Sequence, residues 1–100
     1  MLDGMEGPKR APDRELLLSA HTFPGEYVVK AFGPSTPDFR DAVHGCARAV
    51  VGEERVVVHE RISRGGRRMC VTLTLRARTV DEVLLVYDRV HDVPQLMLIL

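Results

Sequence analysis

Apolar positions recur with two periods along this chain, and the switches between the periods mark out its elements. In EYVVKAFG (26–33), Tyr27, Val29 and Ala31 fall on one side and Val28, Lys30 and Phe32 on the other. That is the two-residue period of a strand, ended by Gly33 and Pro34. The period then lengthens, with Phe39, Ala42, Val43, Cys46, Ala47 and Val50 recurring at helical spacing. Thr36 is placed to cap this helix, Pro37 suits its first position, Asp38 complements the positive end of the dipole, and Gly52 stands where a C-terminal cap belongs. ERVVVHERIS (54–63) and MCVTLTLRAR (69–78) return to alternation. In the second, Met69, Val71, Leu73, Leu75 and Ala77 share a face, opposite Arg68, Cys70, Thr72, Thr74, Arg76 and Arg78. RGGR (64–67) joins the two as a hairpin, where Gly65 and Gly66 can take the positive backbone dihedrals that tight hairpins demand. Thr79 and Glu82 have capping-box spacing for a second helix with the stripe Val80, Val83, Leu84, Tyr87 and Val90. His91, Asp92 and Pro94 end it, and QLMLIL (95–100) reads as a last strand.

The order strand, helix, strand, strand, helix, strand predicts an α+β fold. Its economical form is a ferredoxin-like βαββαβ plait, a four-stranded antiparallel sheet with two helices on one face, because both crossovers can then be right-handed. Residues 1–14 mix Gly, Pro and charge with little apolar content and are expected to be a flexible tail. Residues 15–100 form a single domain, in which Glu15 to His21 has room for one short amphipathic helix.

Composition narrows the function classes. One hundred residues make one domain with one modest core. Fourteen basic and fourteen acidic residues leave no global field to draw nucleic acid or an anionic membrane, so any electrostatic site has to be local. No apolar run approaches the roughly 20 residues of a membrane span, and the charged N-terminus lacks a signal-like apolar stretch. Two cysteines, Cys46 and Cys70, suit a reducing compartment. The expectation is a cytoplasmic protein without a membrane partner.

Four arginines, Arg61, Arg64, Arg67 and Arg68, cluster around the hairpin glycines and form the candidate anion site. The bland alternative is a solvated hairpin tip, since neither P-loop nor dinucleotide spacing is present. The turn into the first long helix, with Gly33, Ser35, Thr36 and Asp38, is a candidate ligand site, weighed against a helix start that is simply well capped. Nucleic-acid recognition by stacking is disfavoured, because the chain has only five aromatic residues and Phe32 alone faces the open side of the sheet. Catalysis is not expected. His44 and Cys46 diverge by about 200° on their helix, and the four histidines match no metal-ligand spacing. A Cys70/His59 pair across neighbouring strands is the only conceivable nucleophile arrangement, and core-type packing of the thiol is the stronger reading. No catalytic residue, metal or cofactor is assigned. On the open face, Val28, Val57 and Met97 or Ile99 would be left in water by a monomer, which points to a homodimer.

With these elements in place the chain resembles the YbeD-like family of small bacterial proteins, a domain of unknown function. The resemblance runs from Glu15 to Leu100. It rests on the leucine-rich lead-in before Phe23-Pro24, on Tyr27, Lys30 and Gly33, on Phe39 and Val43, on Ser63 with Gly65 or Gly66, on VTLTLRA, on Thr79/Glu82 with Tyr87, and on a final strand ending in leucine. Arg67 stands where the family often has an aromatic residue, and Ser63-Arg64 where it often has Ser-Ser or Ser-Lys. The resemblance implies an ACT-like ferredoxin fold and a non-catalytic module that regulates, or binds a small effector or protein partner. The alternative is weak nucleic-acid or anion binding through the arginine hairpin.

Overall fold

The computed structural model describes residues 11–100, and in it the predicted alternation becomes a sheet with one buried and one open face. Strand β1 (Gly25–Pro34) pairs antiparallel with β3 (Arg68–Ala77) along its whole length, from Gly25 opposite Ala77 to Pro34 opposite Arg68. Strand β2 (Val56–Ile62) lies on the far side of β3, and β4 (Leu98–Ile99) on the far side of β1. The order is β2-β3-β1-β4, with every neighbouring pair antiparallel. Helix α2 (Pro37–Val51) carries the chain from β1 to β2 past β3, and α3 (Val80–Val90) carries it from β3 to β4 past β1.

Packing follows from the periods. Tyr27, Val29, Ala31, Met69, Val71, Leu73, Leu75 and Ala77 are buried, and the residues between them are not. Phe39, Val43, Ala47 and Val51 of α2, and Val80, Val83, Val86, Tyr87 and Val90 of α3, join them in one core cluster. Each fully buried Val or Leu contributes about 1.5–3 kcal/mol relative to exposure. Val86 and Val51 take the buried places, and Leu84 and Val50, which the stripe reading favoured, are only partly buried.

Helix α1 (Arg14–Ala20) is the short helix expected after the tail; Asp13 caps it by accepting from the Glu15 amide at 2.8 Å. Leu17 anchors it in the core, and Arg14 pairs with Asp81 at the start of α3. Of the expected tail, residues 1–10 lie outside the described residues. Among the described residues no helix is long and apolar enough to cross a membrane.

The local signals act largely as predicted, with three differences. The Thr36 and Thr79 hydroxyls accept from the amides of Phe39 and Glu82, and Gly52 closes α2 at φ +90°. The Glu82 carboxylate, however, accepts from the Arg78 amide at 2.8 Å, one residue before the helix cap, and also binds Arg55. In the hairpin only Gly66 has a positive φ, +79°. The loop is four residues long, with Ser63 receiving the Gly66 amide at 2.9 Å and donating to the Arg68 carbonyl at 2.8 Å, so one left-handed residue completes the reversal. The last strand is shorter than QLMLIL, because Pro94 and Gln95, the latter at φ +69°, form a turn. Lys30 and Leu100 nevertheless exchange both backbone hydrogen bonds, and the Met97 amide donates to the Phe32 carbonyl at 2.8 Å.

Candidate functional site

The strand register sorts the open face into transverse rows. Val57, Thr74 and Val28 form one row, and His59, Thr72 and Lys30 the next. A third runs across all four strands: Arg61 opposite Cys70, Cys70 opposite Phe32, and Phe32 opposite Leu98. Beyond it Arg68 faces Pro34, and the chain turns through Arg64. The helices cover only the other side, so this face meets solvent.

The third row floors a hollow of about 490 Å³, within the roughly 300–1,000 Å³ of small-molecule sites. Phe32, Cys70, Met97 and Leu98 make its apolar lining, and Arg61, Arg64 and Arg68 stand at its hairpin end. A trough of about 660 Å³ adjoins it over the middle of the face, between Lys30, His59, Thr72 and Thr74.

Of the arginines singled out in the sequence, Arg61, Arg64 and Arg68 therefore converge on one hollow, and Arg67 is not among its lining residues. Arg67 instead ties the hairpin to the turn after β1, its carbonyl accepting from the Ser35 amide at 3.0 Å. Elsewhere Arg14, Arg40, Arg48 and Arg55 each pair with a carboxylate, at Asp81, Asp41 with Glu60, Glu53, and Glu82. None of the four hairpin arginines forms an ion pair with a described residue, and the nearest strand acid, Glu60, is engaged by Arg40 at 3.3 Å. Their charge is thus uncompensated locally in a chain that is neutral as a whole.

The turn residues are placed differently. Gly33 is buried, and a β-carbon built on it would lie 2.4 Å from the Phe39 ring. The Thr36 hydroxyl is occupied by the Phe39 amide at 3.1 Å, Ser35 is half-buried, and Asp38 is exposed in the first turn of α2. They abut the hairpin through Ser35 and Arg67 but do not line its hollow.

The remaining chemistry is dispersed. The strand partner of Cys70 is Arg61, while His59 faces Thr72, and the Cys70 thiol lies 3.8 Å from the Thr72 hydroxyl. Burial pushes the Cys46 thiol upward on α2. Among the described residues no three His, Cys, Asp or Glu side chains group as metal ligands would.

Sequence reasoning missed Leu98 as part of the site, while Met97, which it placed on the open face, is exposed and lines the hollow. It placed Met97 or Ile99 on the open face, whereas Ile99 pairs with Ala31 and packs against the core, leaving Leu98 and Leu100 52% and 60% exposed. A one-residue slip in the register of β4 inverts its faces, and six consecutive residues of mainly apolar character contain no alternation to fix it.

Searches of the curated proteins and of the solved structures find no significant match to the chain. A family model described as "Protein of unknown function (DUF493)" matches residues 19–100, everything from the end of α1 through β4. The match spans the paired alternating strands and the capped second helix and begins just after the leucine lead-in, and the chain is a member of the YbeD-like DUF493 family.

Proposed function

We propose that the chain is a non-catalytic, ACT-like module that acts by binding, and that a second copy of itself covers the aliphatic part of its open sheet face. The strand order β2-β3-β1-β4, with each helical crossover passing one intervening strand, supports reading the fold as a ferredoxin-like plait. The observation that carries the binding role is the row Val57–Thr74–Val28, where Val57 is 63% and Val28 46% exposed. Side chains of this kind in water are the usual mark of a contact surface. Pairing two such faces buries them without a change of fold.

Light scattering at high micromolar concentration tests this, with a dimer expected. Val57→Asp should give a monomer of unchanged circular dichroism, and a wild-type chain that stays monomeric overturns the reading. The alternative, weak nucleic-acid or anion binding through the hairpin, is favoured by one specific observation, the arginines without described acid partners. For nucleic acid the open face offers few stacking surfaces, since among the described residues Phe32 and His59 are its only rings.

A further inference from the structure

The hollow at the hairpin end combines two properties that select for one kind of ligand. Its floor, Phe32, Cys70, Met97 and Leu98, offers neither a charge nor a strong hydrogen-bond donor. Its rim carries the guanidiniums of Arg61, Arg64 and Arg68, with no described carboxylate paired to any of them. An inorganic anion would use the rim and leave the floor in water; a neutral hydrocarbon would use the floor and gain nothing from the rim.

We propose that this pocket binds a small amphipathic organic anion, a free carboxylate or phosphate monoester whose head group sits among Arg61, Arg64 and Arg68. Its unbranched apolar body lies along the row from Cys70 past Phe32 to Leu98. The guanidinium fork matches both head groups with paired hydrogen bonds. Met97 and Leu98, 55% and 52% exposed, become covered by the ligand body. The unbranched thioether of Met97 lets the far wall adapt to bodies of different shape. One row, His59–Thr72–Lys30, separates this site from Val28 and Val57, so it does not depend on self-association of the aliphatic patch.

The test is a heteronuclear NMR titration of the full chain with decanoate below its micellar concentration. Decyl phosphate, decanol, inorganic phosphate, a single-stranded oligonucleotide and phosphatidylglycerol vesicles form the other arms. Decanoate or decyl phosphate should saturate and shift the amides of Arg64, Cys70, Phe32 and Leu98, with those of Val57 and Thr74 little moved. Decanol and inorganic phosphate should each bind more weakly by roughly tenfold or more, the effect of losing one half of the contact.

Arg61→Gln with Arg68→Gln should reduce decanoate affinity by roughly tenfold or more while leaving the melting temperature and oligomeric state unchanged. Leu98→Ser should weaken decanoate without weakening inorganic phosphate. Equal binding of decanol, equal binding of inorganic phosphate, shifts centred on Val57, or no saturable binding each overturn the proposal. So does a chain that binds only vesicles or only the oligonucleotide. Val57→Asp, which should abolish the dimer, should retain decanoate binding, so failure of the self-association reading and failure of this one are separately visible.

Discussion

Arg55 grips Glu82 through both terminal guanidinium nitrogens, each 2.9 Å from a carboxylate oxygen, and so joins the turn before β2 to the start of α3. The same guanidinium donates to the Arg76 carbonyl at 2.8 Å, and the carboxylate also accepts from the Arg78 amide at 2.8 Å. One ion pair therefore holds the end of β3, the following turn and a helix N-terminus. The Arg55 guanidinium holds the Glu82 carboxyl below its ordinary 4.5. A depressed folded-state value means stability that is present above pH 4.5 and lost as pH falls through the lower, folded value. Glu82→Gln should lower the melting temperature at pH 7 by several degrees and flatten its fall between pH 5 and 3. Thermal denaturation across that range measures both.

Gly33→Ala should destabilise the fold by about 1–3 kcal/mol, the cost of overpacking a filled site. The new β-carbon would meet the Phe39 ring at 2.4 Å, and Phe39 is buried. Phe39→Leu in the Gly33→Ala background should recover part of the loss, a coupling that urea titration of the double-mutant cycle reads directly.

The phenols of Tyr27 and Tyr87 meet at 3.0 Å inside the core. Removing one hydroxyl strands the other, so Tyr87→Phe should cost about 1–2 kcal/mol, and the double change to Phe less than the sum of the single ones. Burial, reinforced by Tyr27, pushes the Tyr87 phenol above its ordinary 10.0. A raised folded-state value is stability fully present below pH 10 and lost progressively as pH rises toward the folded value. Absorbance at alkaline pH should show Tyr87 ionising only with unfolding, and Tyr87→Phe should remove that part of the alkaline loss.

The two hairpin glycines should respond differently. Gly66→Ala forces a β-carbon into the left-handed region and should cost about 1 kcal/mol, although nothing lies within 4 Å to clash with it. Gly65→Ala, at a residue with neither positive φ nor a near neighbour, should be close to neutral or slightly stabilising. Chemical denaturation of the two variants side by side is the check.

These outcomes also mark how far the sequence is legible. Strict alternation in β1 and β3 makes their faces readable residue by residue, and the helix starts at Thr36 and Thr79 are written in capping chemistry with few substitutes. The arginine cluster is visible as a cluster because it is contiguous. Its division is not: Arg61 and Arg68 reach the hollow by register, while Arg67, their close neighbour, has its carbonyl tied to Ser35. Gly33 reads in the sequence as a loop residue near a ligand site, yet its reason is the Phe39 ring, a contact within the fold that composition cannot reveal. Leu98 is the harder case, since its side of the sheet is decided by hydrogen bonds to β1 from a segment without any period of its own.

The row from Arg61 to Leu98 draws on strands far apart along the chain, and its last member belongs to the two-residue strand β4. An edge strand that short is among the first elements to open in local fluctuations. Each opening takes away one wall of the hollow. A molecule seated there would act as a clasp on the C-terminal segment, and slowed amide exchange at Met97 and Leu100, whose amides donate to β1, would register its arrival.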